Sequence, residues 1–216
     1  MCKFLFPVMD VRKKLFFLLI FPFFFASCRD NSLNTDAVVP LVVFDYAKEE
    51  EKPACFLVVS VKLFSDAKRI VSVKILNVES GYCWLAEYPQ VSAEKSGGSV
   101  NFCCAASAFD DFFPDGKYIA FITDSAGEEQ QIPFSVNYDR AFVSASAEKA
   151  MKLLGTKCRK YAALYAKNGD LLYYLLENKL KRMNFWLDFK NAVYMRMCFV
   201  ASDKSVCCIM PAVYKD

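Results

Sequence analysis

Cysteine is the residue type with most chemical potential in this sequence. Ten cysteines are present, and histidine is absent. Without imidazole there is no His-activated nucleophile, no His general base and no His-ligated zinc. Beyond residue 28 the cysteines are Cys55, Cys83, Cys103, Cys104, Cys158, Cys198, Cys207 and Cys208. None forms a Cys-x-x-Cys pair, so neither a zinc ribbon nor a thioredoxin-type motif is supported. Each can pack as a small buried hydrophobe, and in an exported chain an even number also permits disulfides. Cys103-Cys104 and Cys207-Cys208 fall in strand-like runs, where adjacent side chains point to opposite faces, so a vicinal disulfide or joint metal site is not expected. Among the acids, Asp110-Asp111 and Asp115 surround a turn and Glu49-Glu50-Glu51 form a charged run. Neither has the spacing of a calcium loop, and both are expected to be solvated. No catalytic residue, metal site or cofactor is assigned, and the chain is expected not to be an enzyme. The last candidates are aromatic. Tyr173, Trp186 and Tyr194 stand out in an aromatic-rich C-terminal part. Such residues either line a partner surface or fill the core of a small domain.

The position of Cys28 gives it a different meaning. Arg12-Lys13-Lys14 precede residues 15–25, LFFLLIFPFFF, which carry no charge. That run is too short for a membrane span, which takes about 20 apolar residues, and it has the length of a signal-peptide core. Pro22 also interrupts a continuous helix. Phe25-Ala26-Ser27-Cys28 follows and resembles the lipobox of bacterial lipoproteins. Phe25 stands where Leu is usual, as in the relaxed lipobox of spirochaetal lipoproteins, and the Phe-rich, Cys-rich body is similar to a treponemal one. The resemblance implies a signal peptide over 1–27, cleavage before Cys28, and transfer of a diacylglycerol to the Cys28 thiolate. It implies export, with lipid at Cys28 anchoring the chain to the inner or outer membrane, facing the periplasm or the cell surface. A start at Met9 instead of Met1 would give the ordinary n-region MDVRKK. Within the leader, Lys3, Arg12, Lys13 and Lys14 against Asp10 account for the whole net charge of +3. The rest of the chain is neutral, so no basic field remains to attract nucleic acid.

The elements that must position these residues are mostly strands. Residues 28–37 are small and polar and read as a flexible tether. From residue 38 the chain alternates in short runs: VVPLVVFDY, CFLVVSVKLF, RIVSVKILNV, YCWLAEY, VNFCCAA, KYIAFITD and QIPFSVNY, with turn residues between them. Pro40 suggests that the first is an edge strand. This spacing predicts a β-sandwich over 38–138. Residues 113–138, FPDGKYIAFITDSAGEEQQIPFSVNY, resemble the last hairpin of immunoglobulin-like and fibronectin type III-like domains. The resemblance implies that fold, with Tyr118 as the corner tyrosine whose hydroxyl bonds back to nearby backbone.

A short helix is predicted within 139–155, capped by Ser146 and ended by Gly155. It is read as a linker to a smaller β-rich domain over 156–216. There, residues 159–166 and 171–177 are predicted to form a hairpin about Asn168-Gly169, with a type I′ turn. A helix over 171–197 is the competing reading, and 181–189 follows as a further strand. Residues 192–201 and 204–214 form another predicted hairpin. With Ser202-Asp203 as a two-residue turn, Cys198 falls opposite Cys207, where the strand spacing allows either a disulfide or two packed thiols.

These features describe a lipid-anchored, non-catalytic binding or interaction module of the cell envelope, meeting a protein or glycan partner. The alternatives are a structural subunit of an envelope complex and a periplasmic hydrolase. A large exposed apolar patch would favour the first of these, and two facing carboxylates in a pocket the second.

Overall fold

Alternation with a period of two organises the chain into strands from Thr35 onward. The computed structural model describes residues 33, 35–49, 51–64, 67–87, 90–94, 97–106, 112–180 and 185–215. Eight strands come first: β1 (Thr35–Asp45), β2 (Ala54–Leu63), β3 (Ile70–Asn77), β4 (Cys83–Glu87), β5 (Gln90–Glu94), β6 (Gly97–Ala105), β7 (Gly116–Asp124) and β8 (Glu129–Val136). Two short helices follow, α1 (Ala141–Ser144) and α2 (Ala147–Leu154). Then come β9 (Arg159–Tyr165), β10 (Leu171–Leu176), the helical turns α3 (Glu177–Leu180) and α4 (Phe185–Asp188), β11 (Tyr194–Val200) and β12 (Val206–Tyr214). The chain is thus mainly β. The signal peptide expected over 1–27, the lipid site Cys28, and Glu50, Asp110 and Asp111 lie outside the described residues.

The strands form two sheets. One has eight strands in the order β10-β9-β11-β12-β1-β2-β6-β5, the other four in the order β4-β3-β7-β8. A single buried cluster draws on both: Phe44, Leu57 and Val59 from the first sheet meet Val73, Ile75 and Ile122 from the second. Each fully buried side chain of this size contributes about 1.5–3 kcal/mol of transfer free energy. Buried polar groups at the ends of the smaller sheet hold its turns. Asn77 Oδ1 accepts from the Ser80 amide at 2.7 Å. Asp124 is buried, pairs with Arg69, and accepts from the Ala126 and Glu128 amides. The Tyr118 hydroxyl donates to the Pro114 carbonyl at 2.7 Å, the back-bond expected of it.

The C-terminal part differs from its expected organisation. Residues 33–216 form one compact unit. Strand β12 runs parallel to β1, pairing Val42 with Val206 and Asp45 with Ile209. Strands β9–β12 therefore extend the sheet of β1 instead of building a separate one. Strand β1 lies inside the sheet between β12 and β2, so it is not the edge strand that Pro40 suggested. The pairing with β12 begins at Val42, so the missing N–H at Pro40 breaks no bond to that strand. The segment read as a linker contributes to the core: Phe142, Ala147 and Ala150 are buried in the shared cluster. Helix α2 starts and stops as expected, with Ser146 Oγ accepting from the Lys149 amide and Gly155 at φ +68°. Residues 185–188, expected within a strand, form a helical turn instead.

Candidate binding surface

The eight-stranded sheet has two faces of different fate. Its inner face carries the shared cluster and, under β9 and β11, a second cluster in which Ala162 and Leu164 pack with Phe189, Met195 and Trp186 of the α4 region. Cross-strand partners share a face and neighbours along a strand do not. The outer face therefore carries Leu41 and Val43 of β1, Phe56 and Val58 of β2, Ala163 of β9, Cys198 and Val200 of β11, and Cys207 and Ile209 of β12. These residues pack into one cluster in which every member belongs to the sheet itself. Among the described residues, no helix and no second sheet contributes to it.

Tyrosines dominate the β10–β9–β11–β12 end of this face. Tyr161 and Tyr174 stack with centroids 4.9 Å apart and planes 9° from parallel. Tyr165 and Tyr194 repeat that geometry, and Tyr214 continues the row beside Tyr194 at 5.5 Å. The outermost members are open: Tyr174 is 51% and Tyr214 66% exposed. Arg196 pins the middle of the face. Its guanidinium pairs with the Asp45 carboxylate and donates to the carbonyls of Tyr46 and Met210, each at 2.8 Å. A bulge in β12 opposite Met197, next to Pro211, frees the Met210 carbonyl for this contact.

The sequence-derived candidates divide between the two faces. Tyr194 lies on the outer face, stacked on Tyr165. Tyr173 pairs with Leu164 on the inner face and packs on Phe189 at 4.6 Å, beside the cluster that holds Trp186. Tyr173, Trp186 and Tyr194 therefore do not make one surface. The bulge between Leu171 and Tyr173 separates them, because an extra residue reverses the alternation that sequence spacing assumes. Tyr161, Tyr165 and Tyr174, part of the aromatic-rich C-terminal run, and Tyr214 make the outer-face set instead. Their signal was strands apolar on both parities, such as YAALY and VCCIM, which mark a sheet with two apolar faces.

The cysteine pair also falls differently. Cys198 stands opposite Ile209, and Cys207 opposite Val200. Both thiols are free. The hairpin itself is present, but its loop holds four residues, closed by the Ala201 amide on the Val206 carbonyl. Asp203 draws in the loop by accepting from the Ser205 amide and hydroxyl, and Lys204 takes φ 63°. The two extra loop residues shift the register by two, so the thiols share a face on a diagonal. Burial pushes Cys198 up to about 11 and raises Cys207 further, with Cys198 adding to the second effect. In the other hairpin the turn is likewise one residue longer than expected: Lys167-Asn168-Gly169, with Gly169 at φ +88°.

The remaining hollows are shallow. One of about 460 Å³ lies between Tyr138, Asp139, Leu154 and the 201–206 loop. Its two carboxylates are engaged locally, Asp139 with the Ala141 amide and Asp203 with Ser205. Asp115 is held by Arg140 at 3.0 Å. Among the described residues, no cluster of three or more Cys, Asp or Glu could hold a metal ion, and no helix is long and apolar enough to cross a membrane.

No protein-family model matches the chain. No curated protein matches its sequence.

Proposed function

We propose that this chain is a non-catalytic interaction module of the cell envelope, anchored by lipid at Cys28, that meets a protein partner through the outer face of its eight-stranded sheet. The observation that carries the reading is that face: an apolar cluster five strands wide, flanked by stacked tyrosines, on which no described element packs. Val43, Ala163, Cys198 and Cys207 are buried within that cluster, and the open rings of Tyr174 and Tyr214 at its rim supply the exposed apolar surface that marks an interaction site. The stacked rings turn their faces to one another. That geometry favours a protein surface over the flat stacking platform a glycan would need.

The strand order supports an immunoglobulin-like fold for β1–β8. Read as A, B, C, C′, D, E, F and G, they give A-B-E-D in one sheet and C′-C-F-G in the other, the arrangement of that fold with one added strand. The hydroxyl of Tyr118 at the start of the seventh strand supports the same reading. Anchoring rests on Phe25-Ala26-Ser27-Cys28. Seven residues from Cys28 to Thr35 span at most about 25 Å, which would keep the body close to the bilayer.

Site-specific photocrosslinkers in intact cells test the surface. Probes at Tyr214 and Val200, on the outer face, should capture a protein, and a probe at Phe121 of the smaller sheet should not. Equal capture from all three positions refutes the surface. Labelled fatty acid incorporated equally by wild type and Cys28→Ala refutes the anchor.

A further inference from the structure

Strand β10 ends the eight-stranded sheet, and among the described residues nothing pairs with its outer edge. Exposed edges in proteins are normally blunted by charge, proline or extreme shortness, because a free row of N–H and C=O groups invites another strand. The other edges in this molecule follow that rule. Strand β8 carries Glu129 and Pro133, β5 ends in Glu94, and β4 is five residues long and ends in Glu87. Strand β10 breaks it. Its sequence, LLYYLL, has no charge and no proline. Leu171 and Tyr174 on the outer face and Tyr173 on the inner face are all more than 40% exposed.

We propose that two copies of this chain associate through β10, pairing antiparallel about Tyr174 so that their eight-stranded sheets join into one. The proposal goes beyond the outer-face reading: it uses the edge of the same sheet instead of its face, and it depends on neither that face nor the lipid. A two-fold axis normal to a sheet places one residue opposite its own copy and keeps each face continuous across the join. Tyr174 suits that place. One side of its ring is stacked on Tyr161 at 4.9 Å, and half of the residue is open to solvent on the edge strand. The copy's Tyr174 would arrive at the cross-strand spacing of about 4.5–5.5 Å. Four tyrosines would then form one row, Tyr161 and Tyr174 from each copy. In this register Tyr173 faces Leu175, both on the inner face, so no like charges are opposed. The uncharged edge is therefore complementary to itself.

The test uses the full chain, extracted from membranes in mild detergent, beside its Cys28→Ala form. Analytical ultracentrifugation should show a dimer for both. Tyr174→Lys, which sets two ammonium groups side by side at the axis, should weaken it at least tenfold with an unchanged circular dichroism spectrum. Leu85→Lys, on the edge strand β4, should leave it intact. Tyr174→Cys should form an intermolecular 174–174 disulfide on oxidation, identified as a linked peptide. This variant decides the matter if Tyr174→Lys unfolds. A wild-type chain that stays monomeric, a dimer indifferent to Tyr174→Lys, or the absence of the 174–174 linkage overturns the proposal. Capture of a different protein by the outer-face probes, with no dimer, sinks this inference and leaves the interaction-module reading standing.

Discussion

Arg196 is the residue on which the junction between β1, β11 and β12 depends. Its guanidinium and the Asp45 carboxylate are both mostly shielded, with side-chain exposures of 18% and 29%. It also donates to the Met210 and Tyr46 carbonyls. Arg196→Ala would leave Asp45 and two carbonyls short of donors, and stability in urea should fall by about 2–3 kcal/mol. Arg196→Lys should recover only part of this, because an ammonium cannot reproduce the fork. The cysteines give a prediction in pH. Burial pushes Cys55 and Cys198 up to about 11 and Cys208 to about 12. A raised pKa favours the neutral thiol in the fold. That stabilisation is fully present below the ordinary thiol value of about 8.5 and is lost as pH rises through 11–12. Chemical denaturation under reducing conditions should therefore show constant stability from pH 7 to about 8.5 and a fall above it. At pH 8, iodoacetamide should modify the exposed Cys83 and Cys103 and spare the buried Cys55, Cys104, Cys198, Cys207 and Cys208 until the chain unfolds. Protection lost by Cys198 in the folded protein would contradict the packed face.

At the scale of elements, the loops decide the register. Strands β11 and β12 were legible from composition, and their pairing from the short polar gap between them. The four-residue loop was not legible. It relies on the Asp203–Ser205 bonds and on Lys204 adopting a conformation that a lysine rarely takes. Lys204→Gly removes that strain, partly offset by glycine's larger freedom in the unfolded chain. It should raise stability by about 0.5 kcal/mol. A loss of stability would mean that the lysine side chain contributes something beyond its backbone angle. Helix α2 shows the opposite case. Ser146 and Gly155 are local signals acting within one turn, so sequence alone placed both ends.

At the scale of the whole molecule, the core is shared along nearly the full described chain. Phe199, Val206, Cys208 and Met210 from the C-terminal strands are buried in the same cluster as Val59 and Ile75. Truncation after Tyr138 would strip β12 from β1 and uncover that cluster. The fragment 33–138 should melt well below the intact chain or aggregate, as followed by circular dichroism and light scattering. A fragment melting at the same temperature would show that β1–β8 are self-sufficient and that the C-terminal strands only append to them.

Sequence by itself determined most of the strands, though not β5 or the helical turn at 185–188, together with the capped helix, the turn positions to within a residue or two and, through the missing histidines, the exclusion of imidazole chemistry. Each of these follows from neighbours a few residues apart. Tertiary structure alone decided that β12 docks parallel to β1, across more than 160 intervening residues. It also decided that Arg196 finds Asp45 at a separation of 151, and that the tyrosines of four strands fall on one face. An apolar strand will accept many partners of similar hydrophobicity. Which one it takes depends on the packing of the whole sheet, and a single bulge, as at Leu171–Tyr173, changes the face on which every later side chain falls.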